Sequence, residues 1–510
     1  MSRTFYITAA IDYANGAPHI GHAIEKIGID AMARYQRLRG RDVHFVLGMD
    51  EHGLKVQQSA EAAGISPQQW VDEIAARFEA AWRSLSLSND DFIRTTQPRH
   101  QRAVEEVVRR MAAAGDFYRG SYEGYYCVGC EAFKREDELV INADGQLRCP
   151  VHPGREVTWT HEDNWFFRLS HYRDRLLKLF DERPDFLQPE GRANEIRRVL
   201  ESGLEDISVS RARLPWGIPW PGDPDHSVYV WIDALTNYLA AAGFPDDGYE
   251  QLWPADYHVI GKDITRFHCV YWPAMLMSAG LPLPQHVWAH GFINFGGTKL
   301  SKSEGVRFEL EELIERHGPE ALRYYLLREI PWNGDGEWSL DRFDERYVSE
   351  LANNLGNLAN RTISMIERYR GGKIPSGHVE VMDEQIAATV LRYRSVMDAN
   401  LLHQGIAAAM ELASHANGFV EARAPWAQAK DPARAAELDD TLAALARAVA
   451  TLATLLQPFM PVKMAELGGQ LSLPEPISLE DLPGLELAGR RVSRGPVLFP
   501  RPESEKHPQK

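Results

Sequence analysis

Thr4 to Ile11 is an apolar, β-branched run that ends in Asp12-Tyr13-Ala14-Asn15-Gly16-Ala17-Pro18. Ile20 to Leu38 then carries apolar residues at helical spacing and stops at Gly40. A second strand, Asp42 to Gly48, follows at once and ends in Met49-Asp50-Glu51-His52-Gly53. Strand, helix and strand in such close succession predict a β-α-β unit, and a helical crossover of that length pairs its strands in parallel. The polar residues stand at the strand ends, which is where open α/β sheets bind their ligands.

The rest of the chain fits a sheet of this kind split by an insertion. At 510 residues it exceeds a single core, since one domain takes about 100 to 200 residues. From Gly115 to about Pro221 the pattern breaks into short aromatic segments around a cysteine cluster. Strand-like runs return at Ser227 to Ile232, Tyr257 to Ile260 and Val287 to Phe295. Beyond them the chain turns helical, through Leu310 to His317 and Glu320 to Leu327 to longer periodic stretches at Phe343 to Tyr369 and Met382 to Leu456. The expected fold class is α/β: a Rossmann-type parallel sheet split by a zinc-knuckle insertion and followed by an α-helical bundle. The expected segments are 1–115 and 226–295 for the sheet, 116–225 for the insertion, 296–345 for a lysine-bearing loop and its sequel, 346–480 for the bundle, and 481–510 for a strap and tail. Val497-Leu498-Phe499 is expected to pack back onto the body.

A net charge of −16 rules out a globally basic nucleic-acid binder, though a local basic groove on an acidic body can still hold a phosphate backbone. Arg34, Arg37, Arg39 and Arg41 form one basic stretch and Arg197 and Arg198 another; either a phosphate contact or a solvated helix face accounts for them. The N-terminus lacks the apolar stretch of a signal peptide. The nearest approach to a membrane span, Thr441 to Met460, contains Arg447 and is diluted by alanine and threonine, so a core helix is the better reading. A cytoplasmic protein is expected. Three of the four cysteines join a histidine as Cys127-x-x-Cys130 and Cys149-x-x-His152, with 18 residues between the pairs. That spacing suits one tetrahedral zinc ion, and four protein ligands leave no open position, so the metal is expected to be structural.

Two short motifs carry the chemistry. His19 and His22, in Pro18-His19-Ile20-Gly21-His22, fall where the first helix begins, and free backbone amides with the helix dipole favour an anion there. Gly21 has no Cβ and would let a flat ring approach the backbone. Lys299 and Lys302, in Lys299-Leu300-Ser301-Lys302-Ser303, follow Gly296-Gly297 in a polar loop that suits an arm closing on a triphosphate. Two ammonium groups can neutralise a departing pyrophosphate. Either motif alone is also what structural histidines or a surface lysine turn would give; together and in this order they point to nucleotidyl transfer.

The two motifs resemble the HIGH and KMSKS signatures of class I aminoacyl-tRNA synthetases, with Leu300 in place of the usual methionine. The interval between them leaves no room for the long editing insertion of the leucyl, isoleucyl and valyl enzymes. Ala10-Ile11-x-Tyr13-Ala14-Asn15-Gly16, Val230-Trp231-Ile232-Asp233-Ala234-Leu235-x-x-Tyr238 and Gly261-Lys262-Asp263-Ile264-x-x-Phe267-His268 resemble methionyl-tRNA synthetases, with Asp12 where many of them have proline. The resemblance implies ATP, as its magnesium complex, and L-methionine as substrates. It implies that Ala10, Ile11, Tyr13, Trp231, Ala234, Leu235, Tyr238, Ile264 and His268 line a methionine pocket and that Asp50 receives the ammonium group. It further implies that Asp263 meets the ribose, with Gly21, Glu25, His290 and Ser301 also on the ATP side. Asn353, Asn357 and Arg361 recur at four-residue steps and so share a helix face. By composition they read as a solvated stripe, and Trp426 in Ala424-Pro425-Trp426 as a packed tryptophan; the resemblance makes all four anticodon-reading residues. tRNA(Met), the initiator included, is the implied partner. The short tail leads to a monomer as the expected state.

Two rivals stay open on the residues alone. A cysteinyl-type ligase would carry its zinc in the amino-acid pocket and a cysteine just before the first motif, where Ala9 and Ala10 stand. A non-catalytic paralogue would hold tRNA without needing the histidines or both lysines.

Overall fold

The computed structural model describes residues 3–127, 132–142, 144–150, 153–154, 156–212, 214–295, 298–299, 309–474 and 477–502. The chain divides into two compact units, one of Met1–Pro18, His44–Ala81 and Asn89–Ala289, the other of His19–Val43, Trp82–Ser88 and His290–Lys510.

The first unit is organised by a seven-stranded sheet. Across it run Leu187–Gln188, His286–His290, Tyr257–Gly261, Phe5–Ala9 and Val43–Asp50, with Asp12–Tyr13 and Asp91–Arg94 both paired to the last of these. Ile7 pairs in parallel with Tyr257, and Val46 in parallel with Asp91. Phe5–Ala9 is buried along its whole length, as a central parallel strand covered on both faces must be. The helix Ile20–Leu38 spans the residues its periodicity marked.

The first strand is shorter than the apolar run implied. It stops at Ala9, and Asp12–Tyr13 forms a separate two-residue strand that pairs with Met49 and Asp50. The strand expected over Ser227 to Ile232 is corrected: Asp223–Val228 is a strand, but Val230 opens the helix Val230–Ala241. That helix is buried nearly all round, so its run of apolar residues shows no helical period. Val287 to Phe295 likewise divides into His286–His290 and Ile293–Phe295, which belong to different sheets.

The inserted region is built on a long hairpin, Phe117–Cys127 against Val157–Phe167, in unbroken antiparallel register from Phe117↔Phe167 to Cys127↔Val157. Ile207–Ser208 and Ala132–Lys134 complete its four-stranded sheet.

In the second unit Leu310–His317 and Pro319–Glu329 confirm the first two expected helices. The long helical stretch after Phe343 is three pieces, Leu340–Arg346, a π-helical Tyr347–Gly356 and Asn357–Arg370. Glu380–Asp398, Leu402–Arg423, Pro425–Gln428, Ala435–Leu455 and Pro461–Gln470 follow. Near the C-terminus Leu498 and Phe499 are buried, and Tyr347 donates its hydroxyl to Pro500 O at 2.8 Å, whereas Val497, expected to pack back with them, is exposed.

Candidate functional site

Each unit carries its own cluster of chemically equipped side chains. In the first, Ala10, Leu235 and Tyr238 belong to the main buried core, and Ile11, Tyr13, Trp231 and Ile264 pack against it. Trp231 stacks flat on Phe267, with centroids 3.6 Å apart. Ala234 is buried beside Leu235 on the same helix, and Asp263 is exposed.

His268 sits in a π-helical turn, Phe267–Tyr271, with its Nε2 2.7 Å from the Tyr238 hydroxyl. Its Nδ1 lies 3.0 Å from Ile264 O, which can only accept, so the ring proton is on Nδ1. Tyr238 therefore donates to Nε2 when the ring is neutral. Tyr238 also stacks at 4.1 Å on His258. His258 accepts from Trp272 Nε1 at 3.2 Å and meets Thr8 Oγ1 through Nδ1 at 2.7 Å. Burial, helped by nearby His268, pushes His258 well below the usual histidine range, so it stays neutral. The cluster thus combines apolar and aromatic side chains with one fixed polar group, the hydrogen-bonded Tyr238 and His268 pair.

Asp50 closes the strand Val43–Asp50, is buried, and accepts Ala14 N at 2.9 Å through its main-chain oxygen. Next to it lies a group that sequence reasoning missed. Asp233 Oδ2 is 2.7 Å from His52 Nδ1 and its Oδ1 is 2.5 Å from His100 Nε2. Burial alone would raise this carboxyl, but the charge of His52 and the hydrogen bond from His100 hold it down at about 2.

In the second unit the Ile20–Leu38 helix begins with the two motif histidines. Gly21 N donates to His19 Nδ1 at 3.0 Å, and His19 N to His22 Nδ1 at 3.2 Å. Both rings cap the helix through Nδ1, and they stack 3.8 Å apart. Burial, followed by His19 and Lys26, pushes His22 well below its ordinary range. With Nδ1 accepting from the backbone, a neutral ring carries its proton on Nε2, so each presents an Nε2–H donor.

One turn on, Glu25 bonds Lys26 Nζ at 2.5 Å and His290 Nε2 at 2.9 Å. Against the upward push of burial, the Lys26 charge and His290 hold Glu25 at about 2. His290 lies parallel to Trp332 at 5.1 Å. Gly28 allows that arrangement, because a Cβ there would stand 2.2 Å from the Trp332 ring. Lys299 falls in a two-residue strand, Thr298–Lys299, paired with Ile293–Phe295, where a loop was expected. Ser301 and Lys302 lie outside the described residues.

Elsewhere in this unit Asn353, Asn357 and Arg361 line one open groove of about 440 Å³ with Asn354, Ser414, Asn417 and Glu421. The Arg361 guanidinium lies 5.8 Å from the Trp426 ring centre, so all four expected residues gather here. Ala424 takes the left-handed conformation, φ 45°, and turns the chain into the short helix that carries Trp426. Three arginines of the basic stretch have partners within the chain: Arg34 bonds Asp30, Arg37 bonds Ser88, and Arg39 bonds Asp398 and Glu480.

At the hairpin tip, Cys127 and Cys149 are buried thiols in one cluster with Leu139, and neither is in a disulfide. The Arg148↔Glu156 bridge brings Cys149 alongside the strand that pairs with Cys127. Cys130 and His152 lie outside the described residues, and no group of three possible ligands occurs among those described. Cys269 is buried beside His268, and burial pushes its thiol far up, so it is inert.

A parallel sheet with polar strand ends and a helix opened by paired histidines define a class I tRNA synthetase. The family model described as tRNA synthetases class I (M) matches residues 5–363. The methionine–tRNA ligase of Rhizobium meliloti is 46% identical over 507 residues, 98% of this chain and 97% of that protein. That of Caldanaerobacter subterraneus subsp. tengcongensis is 43% identical over 516 residues, 99% of this chain and 80% of that protein. Among solved structures, Mycobacterium tuberculosis methionyl-tRNA synthetase in complex with methionyl-adenylate is similar with a TM-score of 0.94 and 41% identity, covering 98% of this chain and 100% of that one. The chain belongs to the methionine–tRNA ligase family of class I tRNA synthetases.

Proposed function

We infer that the chain joins L-methionine to tRNA in two steps. The methionine carboxylate attacks the α-phosphorus of Mg-ATP, forming methionyl-adenylate and releasing pyrophosphate. A hydroxyl of the terminal adenosine of the tRNA then attacks the methionyl carbonyl, and AMP leaves. No side-chain nucleophile takes part, so catalysis rests on positioning and on stabilising charge.

The observation that carries the amino-acid reading is the aromatic cluster around Trp231 and Tyr238, with the Tyr238–His268 hydrogen bond of 2.7 Å as its polar group. An unbranched, polarizable thioether suits walls such as Trp231 and a single fixed polar end. In this reading Ala10, Ile11, Tyr13, Ala234, Leu235 and Ile264 complete the side-chain contacts. Asp50 takes the ammonium, a carboxylate being what a primary amine requires. Asp263 takes the ribose; Gly21, Glu25, His290 and Ser301 serve the rest of the ATP. His19 and His22 donate from Nε2 to the phosphates, and Lys299 and Lys302 offset the charge of the leaving pyrophosphate. Asn353, Asn357, Arg361 and Trp426 read the anticodon of tRNA(Met), initiator and elongator alike.

Cys127, Cys130, Cys149 and His152 hold one structural zinc ion that stabilises the tip of the insertion and touches no substrate. Two buried, unoxidised thiols in one cluster support that assignment. The segments 1–115, 116–225, 226–295, 296–345, 346–480 and 481–510 act respectively as sheet, insertion, sheet, lysine loop, bundle and strap. A cytoplasmic monomer completes the reading; the acidic charge of −16 suits a dissolved protein, and no described helix is long and apolar enough to cross a membrane.

Pyrophosphate exchange measured with each of the twenty amino acids, in the absence of tRNA, tests the inference. Methionine should drive exchange, and Lys302→Ala should slow it roughly 100-fold or more with little change in methionine binding. Exchange with cysteine alone, or with none, would overturn it.

A further inference from the structure

Beside the Tyr238–His268 pair stands a second histidine to which the two-step reaction gives no part. His258 is fully buried on the strand Tyr257–Gly261, where it pairs with Thr8 of Phe5–Ala9 in the parallel register. Both of its ring nitrogens are engaged. Trp272 Nε1 reaches Nε2 at 3.2 Å, and an indole N–H can only donate, so Nε2 carries the lone pair. The ring proton is therefore on Nδ1, which donates to Thr8 Oγ1 at 2.7 Å. A second proton on Nε2 would face the indole N–H, and burial opposes the charge as well.

The imidazole joins four elements. Thr8 and His258 lie on adjacent strands of the large sheet, Tyr238 on the helix Val230–Ala241, and Trp272 at the start of the helix Trp272–Ala279, directly after the π-helical turn that carries His268. Tyr238 stacks on the imidazole at 4.1 Å with 27° between the planes, and Trp253 is tilted toward it at 5.8 Å. The Tyr238 main-chain oxygen accepts from the Tyr6 hydroxyl at 2.8 Å, and its own hydroxyl meets His268. Those two bonds hold the backbone and the tip, and they leave the tilt of the phenol ring open. A stacked ring that is itself pinned at both nitrogens closes that freedom.

We propose that His258 is a positioning residue for methionine recognition: pinned between Trp272 and Thr8, it sets the place of the Tyr238 ring against the substrate side chain. A polarizable sulfur gains more from an aromatic edge than a methylene does, and the gain depends on where that ring stands. The proposal rests on the reading of Tyr238 and His268 as contacts of the methionine side chain.

Pyrophosphate exchange with methionine and with norleucine, which has a methylene in place of the sulfur, tests it. His258→Gln removes the stacked ring and keeps a side-chain oxygen that can accept from Trp272. It should lower the methionine-to-norleucine ratio of kcat/KM by about 2- to 10-fold, the range of one sulfur–aromatic contact. The change should lie in the methionine KM, with kcat and the ATP KM at wild-type values. Thr8→Val keeps the ring but takes away one anchor, so it should move the ratio the same way and less; should His258→Gln not fold, it carries the test alone. With Tyr238→Leu already in place, either substitution should change the ratio no further, because each acts through that ring. Equal losses for both amino acids, or a fall in kcat with the methionine KM unmoved, would mark a residue that only supports the fold and would overturn the proposal. If Tyr238→Leu by itself leaves the ratio at the wild-type value, the methionine reading of the cluster fails. If it lowers the ratio and neither His258→Gln nor Thr8→Val does, only the His258 role fails.

Discussion

Asp233 shows most directly what a single residue contributes beyond its motif. Its side chain is 1% exposed and lies between two imidazoles, His52 and His100, themselves 6% and 0% exposed. Burial disfavours the carboxylate, yet the histidines reverse that and bring it from the usual 3.8 to about 2. A carboxyl lowered on folding adds stability that is present above its unfolded value, near 3.8, and is lost as pH falls through the folded value, near 2. The shift corresponds to about 2 kcal/mol. Asp233→Asn should therefore lower the unfolding midpoint at pH 7, and it should flatten the loss of stability between pH 4 and 2 that the natural chain shows. Parallel acid-unfolding curves for the two proteins would refute the assignment. Asp233 was in plain view, inside a segment read for Trp231 and Tyr238. What was hidden was its partners, 181 and 133 positions away on other elements. Residue type and spacing reveal groups that act through a motif; they do not reveal a carboxylate whose role is fixed by distant imidazoles.

At the scale of elements, legibility followed periodicity. The Ile20–Leu38 helix and the Leu310–His317 helix are amphipathic and were placed by their spacing. The Val230–Ala241 helix is buried nearly all round, polar residues included, and the run that opens it reads as a strand. The two π-helical turns, Phe267–Tyr271 and Tyr347–Gly356, leave no mark in a pattern built on 3.6 residues, though they carry His268 and Asn353. The hairpin tip was legible for a different reason, because metal ligands have a spacing of their own. There the assigned zinc gives a test. Metal analysis should return about one zinc per chain, and Cys149→Ser should abolish it. Amide protection near Tyr125–Cys127 and Val157 should then fall, while protection in the Ala435–Leu455 helix stays unchanged. Full protection at the tip after the metal is removed would show that the cluster around Leu139 holds without it.

At the scale of the whole molecule, the second compact unit is assembled from three separated stretches of chain, His19–Val43, Trp82–Ser88 and His290–Lys510. Arg323, fully buried, ties them together. Its Nη2 reaches Asp30 Oδ2 at 2.7 Å and Pro458 O at 3.0 Å, its Nη1 reaches Leu85 O at 3.1 Å, and its Nε reaches Phe459 O at 2.9 Å. Asp30 is satisfied in turn by Arg34 and by Ser88. The cation and the anion are 293 positions apart, so nothing in the order of residues announces the pair. A buried pair of this kind adds little net stability over a well-packed apolar replacement, but breaking it leaves an uncompensated charge in the interior at about 3–5 kcal/mol. Arg323→Met should therefore destabilise the unit by at most about 3–5 kcal/mol, because three buried carbonyls lose their donor and Asp30 keeps Arg34 but loses its second cation, while the methionine fills much of the space. Asp30→Asn in the same background has no Arg323 contact left to lose, so it should cost less there than in the natural chain. Urea unfolding followed by tryptophan fluorescence would read both. If the two substitutions simply add, the guanidinium acts by packing, and the three stretches are held together by apolar contacts such as those of buried Leu85 and Phe459.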